Sequence, residues 1–378
     1  MLVQGGREFV WTLSDAAATA WRSGRGTVGT LDVLVELASR LPSLNRLLGQ
    51  RVGKLKEAAG VSGAEQPPDG ELPVAPSAIE QEAQAVLREA TWVARRHLRK
   101  EVTDTAPRWS PASHAAVRDA LALAQAHRLR HAHGMHLFQA LLEASAGRAA
   151  QTLADLGIGL KEVARRMPVD SSVVEEGTPM ADAALSLSAV GVLDSGGALS
   201  RRLRVTAGRL VLRSRAGVVL PFVEQEAIRQ TVRRGAVEVD SVASLAAVLA
   251  LDEQLTAVGR TLAPPWAAAN AGGEVLRVKG IDVSTVLSRA GALPASSTPD
   301  RAYRWRSLRG DPPFGPDAAS VSARAHDLAD GSDVGTSHLV LAMLAVDDCA
   351  AHRLLRGLLN LRDVREEVTA RLGCPRAS

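Results

Sequence analysis

Apolar residues recur along most of this 378-residue chain at the three- and four-residue spacing of amphipathic helices. For example, Ile79, Ala83 and Val86 fall on one face of a predicted helix. Glycine, proline and small polar residues separate the apolar stretches, most densely at 59–77. The segment 209–215 alternates basic and apolar residues instead, which fits either a short hairpin or an amphipathic extension. The pattern as a whole predicts an all-α protein.

Two stretches, 131–153 and 332–355, are copies of one helical unit. In each, a His-Leu dipeptide opens an apolar helix, and after a polar turn the sequence Ala-Ala-x-x-Leu begins the next helix. An aromatic–small–proline sequence precedes each copy, starting at Trp109 and at Phe314. Proline in the first helical turn pre-sets φ and removes no needed N–H group, so each sequence predicts the start of a helix.

Weaker copies lie upstream, at 21–49 and 232–262, with Gly24 corresponding to Gly235. The order weak, strong, weak, strong has a period too long for an ordinary solenoid, so it predicts two tandem domains that each contain two half-repeats. The predicted domains are 1–167 and 216–373, with an interdomain linker at 168–215. The predicted half-repeats are about 7–58, 107–167, 221–262 and 312–373, with insertions at 59–106 and 263–311.

The composition agrees with helical packing. Apolar residues make up 46% of the chain and aromatic residues only 3%, so the cores must consist mainly of Ala, Leu and Val. The 45 basic residues exceed the 41 acidic ones by only four, which gives little support for nucleic-acid binding. No apolar run is long enough to span a bilayer, no secretory leader is recognisable, and the two cysteines have no metal-binding spacing. We therefore expect a cytoplasmic protein without a membrane partner.

Two motifs suggest chemistry, but their surroundings favour structural roles. The glycines at 24, 26 and 29 form Gly-x-Gly-x-x-Gly, yet a helix-forming segment precedes them where a dinucleotide-binding fold needs a strand. His127 and His131 have the i, i+4 spacing of zinc ligands, but no third ligand stands nearby. We predict an inter-helix turn and packing histidines, with no cofactor and no metal.

Other catalytic and binding patterns are missing or weak. No lysine follows glycine in the frame of a phosphate-binding loop, which excludes a P-loop ATPase, and no nucleophile–base arrangement stands out. Arginines flank Trp92, Trp109 and Trp305, a pairing that can stack on nucleic-acid bases. Because the net charge is small, ordinary packing or a peptide partner explains these tryptophans better. We therefore predict no catalytic residues.

The strong copies resemble the Clp amino-terminal repeat domain, which stands at the front of the Clp unfoldases. The match is best over 334–355, where Gly-Thr-Ser-His-Leu opens the helix, and next best over 109–160. The resemblance implies two four-helix repeats that pack with pseudo-twofold symmetry. It also implies a surface between the repeats that docks substrates, adaptors, phosphoarginine or cyclic-peptide antibiotics.

The sequence departs from that family at one position. Members that bind phosphoarginine carry Glu between Thr and His, where a carboxylate can pair with the guanidinium group. Here the four copies carry Leu31, Met135, Val242 or Ala243, and Ser337. Phosphoarginine should therefore bind weakly, and an apolar peptide should bind better. The resemblance places the ligand surface at twelve residues, namely Phe9, Thr30, Leu31, Trp109, Met135, His136, Val242, Ala243, Phe314, Thr336, Ser337 and His338.

These observations predict a non-enzymatic peptide-binding protein whose partner is a peptide, a cyclic peptide or a protein degron. It could serve as an adaptor or decoy for a Clp protease system, or it could sequester peptide antibiotics that target Clp unfoldases. A second hypothesis is an accessory protein of a biosynthetic or regulatory pathway that uses the fold as a scaffold. The third is a metalloenzyme that uses the histidine cluster.

Overall fold

The computed structural model describes residues 3–61, 77–98, 105–143, 147–158, 182–193, 217–290 and 311–373. The alternating segment 209–215, Trp305 and Cys374 lie outside these residues. The described chain divides into two compact units, with the division between Pro179 and Met180. We call residues 3–158 the first unit and residues 182–373 the second unit.

The first unit consists of two similar halves and a long helix. The first half-repeat contains β1 (Gln4–Gly5), α1 (Arg7–Arg22), β2 (Thr27–Val28), α2 (Thr30–Arg40), α3 (Pro42–Leu48) and α4 (Arg51–Val61). The long helix α5 (Ala78–Leu98) follows. The second half-repeat contains β3 (Arg108–Trp109), α6 (Pro111–Ala126), β4 (His131–Ala132), α7 (Gly134–Glu143) and α8 (Arg148–Asp155).

The second unit is also built from two helical halves, preceded by α9 (Asp182–Ala189). The third half-repeat contains α10 (Leu220–Arg234), α11 (Ser241–Ala257), α12 (Pro264–Ala267), a 3₁₀ turn at Ala268–Asn270, α13 (Gly272–Val278) and α14 (Val283–Ala290). The fourth contains α15 (Pro316–Ala329), α16 (Thr336–Ala345), α17 (Ala350–Arg356) and α18 (Leu361–Gly373). The named strands among the described residues are two residues long, so the predicted all-α class is confirmed.

Two reciprocal backbone pairings join the halves of the first unit. Strand β1 pairs in parallel with β4, and β2 pairs in parallel with β3. Each half therefore has one strand before its first helix and one strand after it. The strand before the first helix of one half pairs with the strand after the first helix of the other half. This exchange relates the halves by a pseudo-twofold axis. In the second unit, a single parallel bridge between Val239 and Phe314 replaces the β2–β3 pair.

The matched glycines of the first and third half-repeats end equivalent helices. Gly24 follows α1 with φ of 68°, and Gly235 caps α10 with φ of 69°. This left-handed conformation suits glycine, because an L side chain is strained there. The amides that follow bond back in the same way, from Arg25 to Ala20 and from Ala236 to Thr231. The Gly-x-Gly-x-x-Gly sequence thus lies between two helices, after α1 and before α2.

Several described helices lie in segments that the sequence predicted as linker or insertion. Helices α13 and α14 fall within 263–311 and follow α11 as α17 and α18 follow α16. Helix α9 falls within 168–215, where Leu187 is fully buried and Leu193 forms an antiparallel bridge with Leu262. The second unit therefore uses apolar residues from both segments in its core.

The second unit buries a carboxyl group on its helix α10. Glu224 on α10 is 5% exposed and lies three turns before Gly235, where the first unit has the fully buried Leu13. Its Oε2 atom has no hydrogen-bond partner. Burial raises the pKa of this carboxyl from 4.5 to about 8, because a low-dielectric interior disfavours the charged form.

We expect Glu224→Gln to stabilise the second unit in a pH-dependent way. A carboxyl whose pKa is raised in the folded state loses stability as pH rises from about 4.5 to about 8, and the amide loses none. The difference in melting temperature between variant and wild type should grow by several degrees between pH 5 and pH 8 in calorimetric scans. Glu366→Gln, on the exposed face of α18, is the control and should show no such growth. A constant difference at both pH values would contradict the assignment.

The halves of the second unit approach closely enough that backbone touches backbone. A Cβ atom added to Gly272, at the start of α13, would lie 2.5 Å from the Thr336 carbonyl oxygen. One added to Gly335 would lie closer still to the Ala269 carbonyl oxygen. Neither glycine has a positive φ, so close approach, and not backbone conformation, requires them.

We therefore expect Gly272→Ala to cost about 2 kcal/mol or more, since the added methyl group must push two backbones apart. Calorimetry should show the transition of the second unit shifted down by several degrees. Gly373→Ala is the matched control, because nothing lies within 4 Å of its added Cβ. Equal melting temperatures for the two variants would show that the helix starts can separate without cost.

Candidate functional site

The second helix of each half-repeat begins at an equivalent place, and in each unit the two starts lie at the junction between its halves. In the strong copies a histidine side chain caps the start of this helix. The Nδ1 atom of His338 accepts a hydrogen bond from the Gly335 amide at 3.1 Å, and that of His136 accepts one from the His133 amide at 3.1 Å. These bonds satisfy N–H groups that a helix N-terminus leaves without intrahelical partners. The histidine of each His-Leu dipeptide is therefore a helix cap.

In the weaker copies, carboxylates accept the hydrogen bonds of the helix start. Asp32 accepts a hydrogen bond from the Gly29 amide at 2.9 Å and pairs with Arg25 at 2.5 Å. Asp240 accepts one from the Ala243 amide at 2.7 Å, and both of its oxygens bond to Arg234, at 2.8 and 2.9 Å. An acidic cap also suits the positive end of the helix dipole. The first copy therefore keeps the position of the capping group, the third residue of the helix, whereas the third copy has its carboxylate at the residue before the helix.

Hydroxyl groups at three of the starts cap a helix of the opposite half. Thr30 Oγ1 accepts a hydrogen bond from the Ala149 amide at 3.1 Å, across 119 residues. The equivalent Ser241 Oγ accepts one from the Ala351 amide at 2.9 Å. Each hydroxyl belongs to the first residue of its own helix and serves the first turn of α8 or α17.

At the other two contacts between halves, a serine caps one helix and a proline begins the other. Ser337 Oγ accepts a hydrogen bond from the Ala271 amide at 3.1 Å and so caps α13. At the fourth contact Gly134 packs against Leu41, and α3 begins with Pro42, which has no amide hydrogen to satisfy. The chemistry at the junction is thus hydroxyl at three contacts and proline at the fourth.

The structure places the twelve predicted ligand-binding residues mostly in the interior of this junction. Only Trp109 and Met135 are partly exposed. The Trp109 indole N–H donates to Thr91 Oγ1 at 3.0 Å. In this arrangement the partly exposed pair is open to solvent, and the other ten side chains form core and caps. The ten buried residues are Phe9, Thr30, Leu31, His136, Val242, Ala243, Phe314, Thr336, Ser337 and His338.

The histidines of the second half-repeat meet in space but not in the predicted way. Helix α6 ends at Ala126 and Arg128 has φ of 58°, so His127 and His131 do not share a helical face. Instead the His136 ring lies 5.7 Å from the His127 ring and 5.9 Å from the His133 ring, centroid to centroid. Burial, followed by repulsion from His133 and His127, lowers the pKa of His136 to about 4. No group of three potential ligands suited to a metal occurs in the described ranges.

One acidic residue at the junction of the second unit had no sequence signal that singled it out. Glu238 is 7% exposed, and neither of its carboxylate oxygens has a hydrogen-bond partner. It lies over Gly315, where an added Cβ would stand 2.8 to 3.1 Å from the three carboxylate atoms. Burial, then Asp317 and Asp240, raise the pKa of Glu238. The pairing of Val239 with Phe314 and the hydrogen bonds from Ser241 to Asp317 bring these groups together.

Comparison with known proteins identifies no relative. The chain matches no family model, no curated protein and no solved structure. Among the described helices, none has the length and apolar character that crossing a bilayer requires.

We expect Ser241→Ala to destabilise the second unit by about 1–3 kcal/mol. The change leaves the buried Ala351 amide without its acceptor and removes a 2.6 Å hydrogen bond to Asp317. Ser320→Ala is the control, because this exposed hydroxyl donates to Pro316 O within its own helix and its loss should cost about 0.5 kcal/mol or less. Chemical denaturation measures both, and equal midpoints would contradict the capping role.

Proposed function

We propose that this protein is a non-enzymatic peptide-binding protein of the Clp amino-terminal type, acting as an adaptor or decoy for a Clp protease system or sequestering peptide antibiotics that target Clp unfoldases. The observation that supports the proposal is the reciprocal construction of the first unit. Two helical halves exchange parallel strands, and Thr30 caps a helix of the other half. This is the pseudo-twofold arrangement that the sequence resemblance implies.

The side chains at the junction favour an uncharged or apolar ligand in the first unit. The position after the first helical residue, where phosphoarginine-binding members have Glu, is Leu31 in the first half-repeat and Met135 in the second. Leu31 is buried, while Met135 is partly exposed and packs against the core. An apolar side chain at this place binds by removing apolar area from water, at roughly 25 cal/mol per Å².

The exposure of Met135 allows a direct test of this departure from the family. Met135→Glu restores a carboxylate at the family's position without disturbing a buried cap. We expect the wild-type chain to bind an apolar decapeptide and to bind free phosphoarginine at least about tenfold more weakly. Met135→Glu should gain phosphoarginine affinity, since a charge-assisted bond to a guanidinium group becomes available.

Isothermal titration calorimetry on the full chain measures these affinities. Met135→Gln is the matched control, having nearly the same shape as Glu and no charge, and it should not gain phosphoarginine binding. Tight phosphoarginine binding by the wild type would contradict the role given to the missing carboxylate. If no peptide from a tiled array of apolar sequences binds the chain, the proposed function itself is wrong.

A further inference from the structure

Glu238 is the only carboxylate in the acidic cluster of the second unit whose oxygens lack partners, among the residues that the structure describes. Its neighbours Asp240 and Asp317 are fully engaged. Asp240 bonds to Arg234 and caps α11. Asp317 Oδ2 accepts hydrogen bonds from the Ser241 hydroxyl at 2.6 Å and the Ser241 amide at 3.2 Å, and its Oδ1 accepts one from the Ala318 amide.

A buried carboxylate in this state is costly. Removing a charge from water without hydrogen bonds is unfavourable, and two further carboxylates nearby increase the penalty. A cation placed against Glu238 would reduce both the cost of removing its charge from water and the repulsion from the two neighbouring carboxylates. Because both oxygens are without partners, the geometry suits a forked donor with two parallel N–H groups, which is the guanidinium group of arginine.

The surroundings of Glu238 also provide an apolar contact, while its two oxygens are covered, so a guanidinium group reaches them when the covering side chains move aside. Val237, the residue before it, is 85% exposed, one of the two large apolar side chains that stand out from the described surface. On the other side Pro313, whose carbonyl accepts the Val239 amide at 2.8 Å, is also exposed. Glu238 thus lies just below the surface between two exposed apolar residues. Gly315 leaves the space that its carboxylate occupies.

We propose that Glu238 is the recognition site for an arginine side chain of a bound peptide, with Val237 and Pro313 contacting the aliphatic part of that side chain. This proposal rests on the proposed peptide-binding function and specifies the class of peptide that the second unit selects. Asp240 and Asp317 strengthen the negative potential without taking part in the contact. The arginine would donate two parallel N–H groups to the two oxygens of Glu238.

The test uses two acetylated and amidated decapeptides of Ala and Leu that differ at one central residue, arginine in one and its neutral isostere citrulline in the other. The wild-type chain should prefer the arginine peptide by about tenfold. Glu238→Gln should remove the preference, while Glu366→Gln, which also removes one negative charge from the second unit, should keep it. Gly315→Ala retains the charge but crowds the carboxylate, so it should reduce the preference.

A second measurement distinguishes failure of the arginine site from failure of the proposed peptide-binding function. N-acetyl-arginine methylamide, titrated into the full chain at pH 8, should raise the melting temperature of the second unit in the wild type but not in Glu238→Gln. If the small probe acts in this way and neither decapeptide binds, the arginine site stands and the peptide-binding function fails. If both decapeptides bind equally well to the wild type, or the probe acts equally on Glu238→Gln, the arginine site is wrong.

Discussion

The structure depends on hydrogen bonds that cross from one half-repeat to the other at helix N-termini. A helix leaves its first amide groups without intrahelical partners, and a buried amide left alone costs about 1–3 kcal/mol. Here the amides of Ala149, Ala351 and Ala271 find their acceptors in the opposite half. Neither half can satisfy these groups alone, so the halves are expected to fold as one cooperative unit.

The close approach of the halves follows from the same bonds. A side chain as short as serine or threonine reaches another helix only if the two backbones nearly touch. Gly272 and Gly335 permit this contact in the second unit, and in the first unit Gly134 lies against the side chains of Leu37 and Leu41. Glycine at these positions therefore serves packing, whereas Gly24 and Gly235 serve chain reversal.

The sequence predicted the local features well, because they arise from neighbouring residues. Helical periodicity gave the all-α class, and the alignment of Gly24 with Gly235 predicted equivalent helix ends. The partners of Thr30 and Ser241 could not be predicted, since a hydroxyl that bonds across more than a hundred residues leaves no periodic pattern. For the same reason the sequence could not show that Thr30 and Ser337, two residues of the predicted ligand surface, accept hydrogen bonds from backbone amides of the opposite half.

Unlike the junction hydroxyl groups, which bond to backbone amides, the carboxylate of Glu238 has no hydrogen-bond partner. It follows Val237 in a segment that reads as a short polar connection, and its chemistry depends on Gly315, which lies 77 positions further along the chain. The neighbouring carboxylates are satisfied by caps and by Arg234, so their charge costs the fold little. Glu238 lacks such compensation and is more deeply buried than Asp240 and Asp317, although the valine before it is exposed. Glutamine would fit the same space without the penalty of a buried charge, so folding alone does not account for a carboxylate in that position, whereas the proposed recognition of an arginine side chain would.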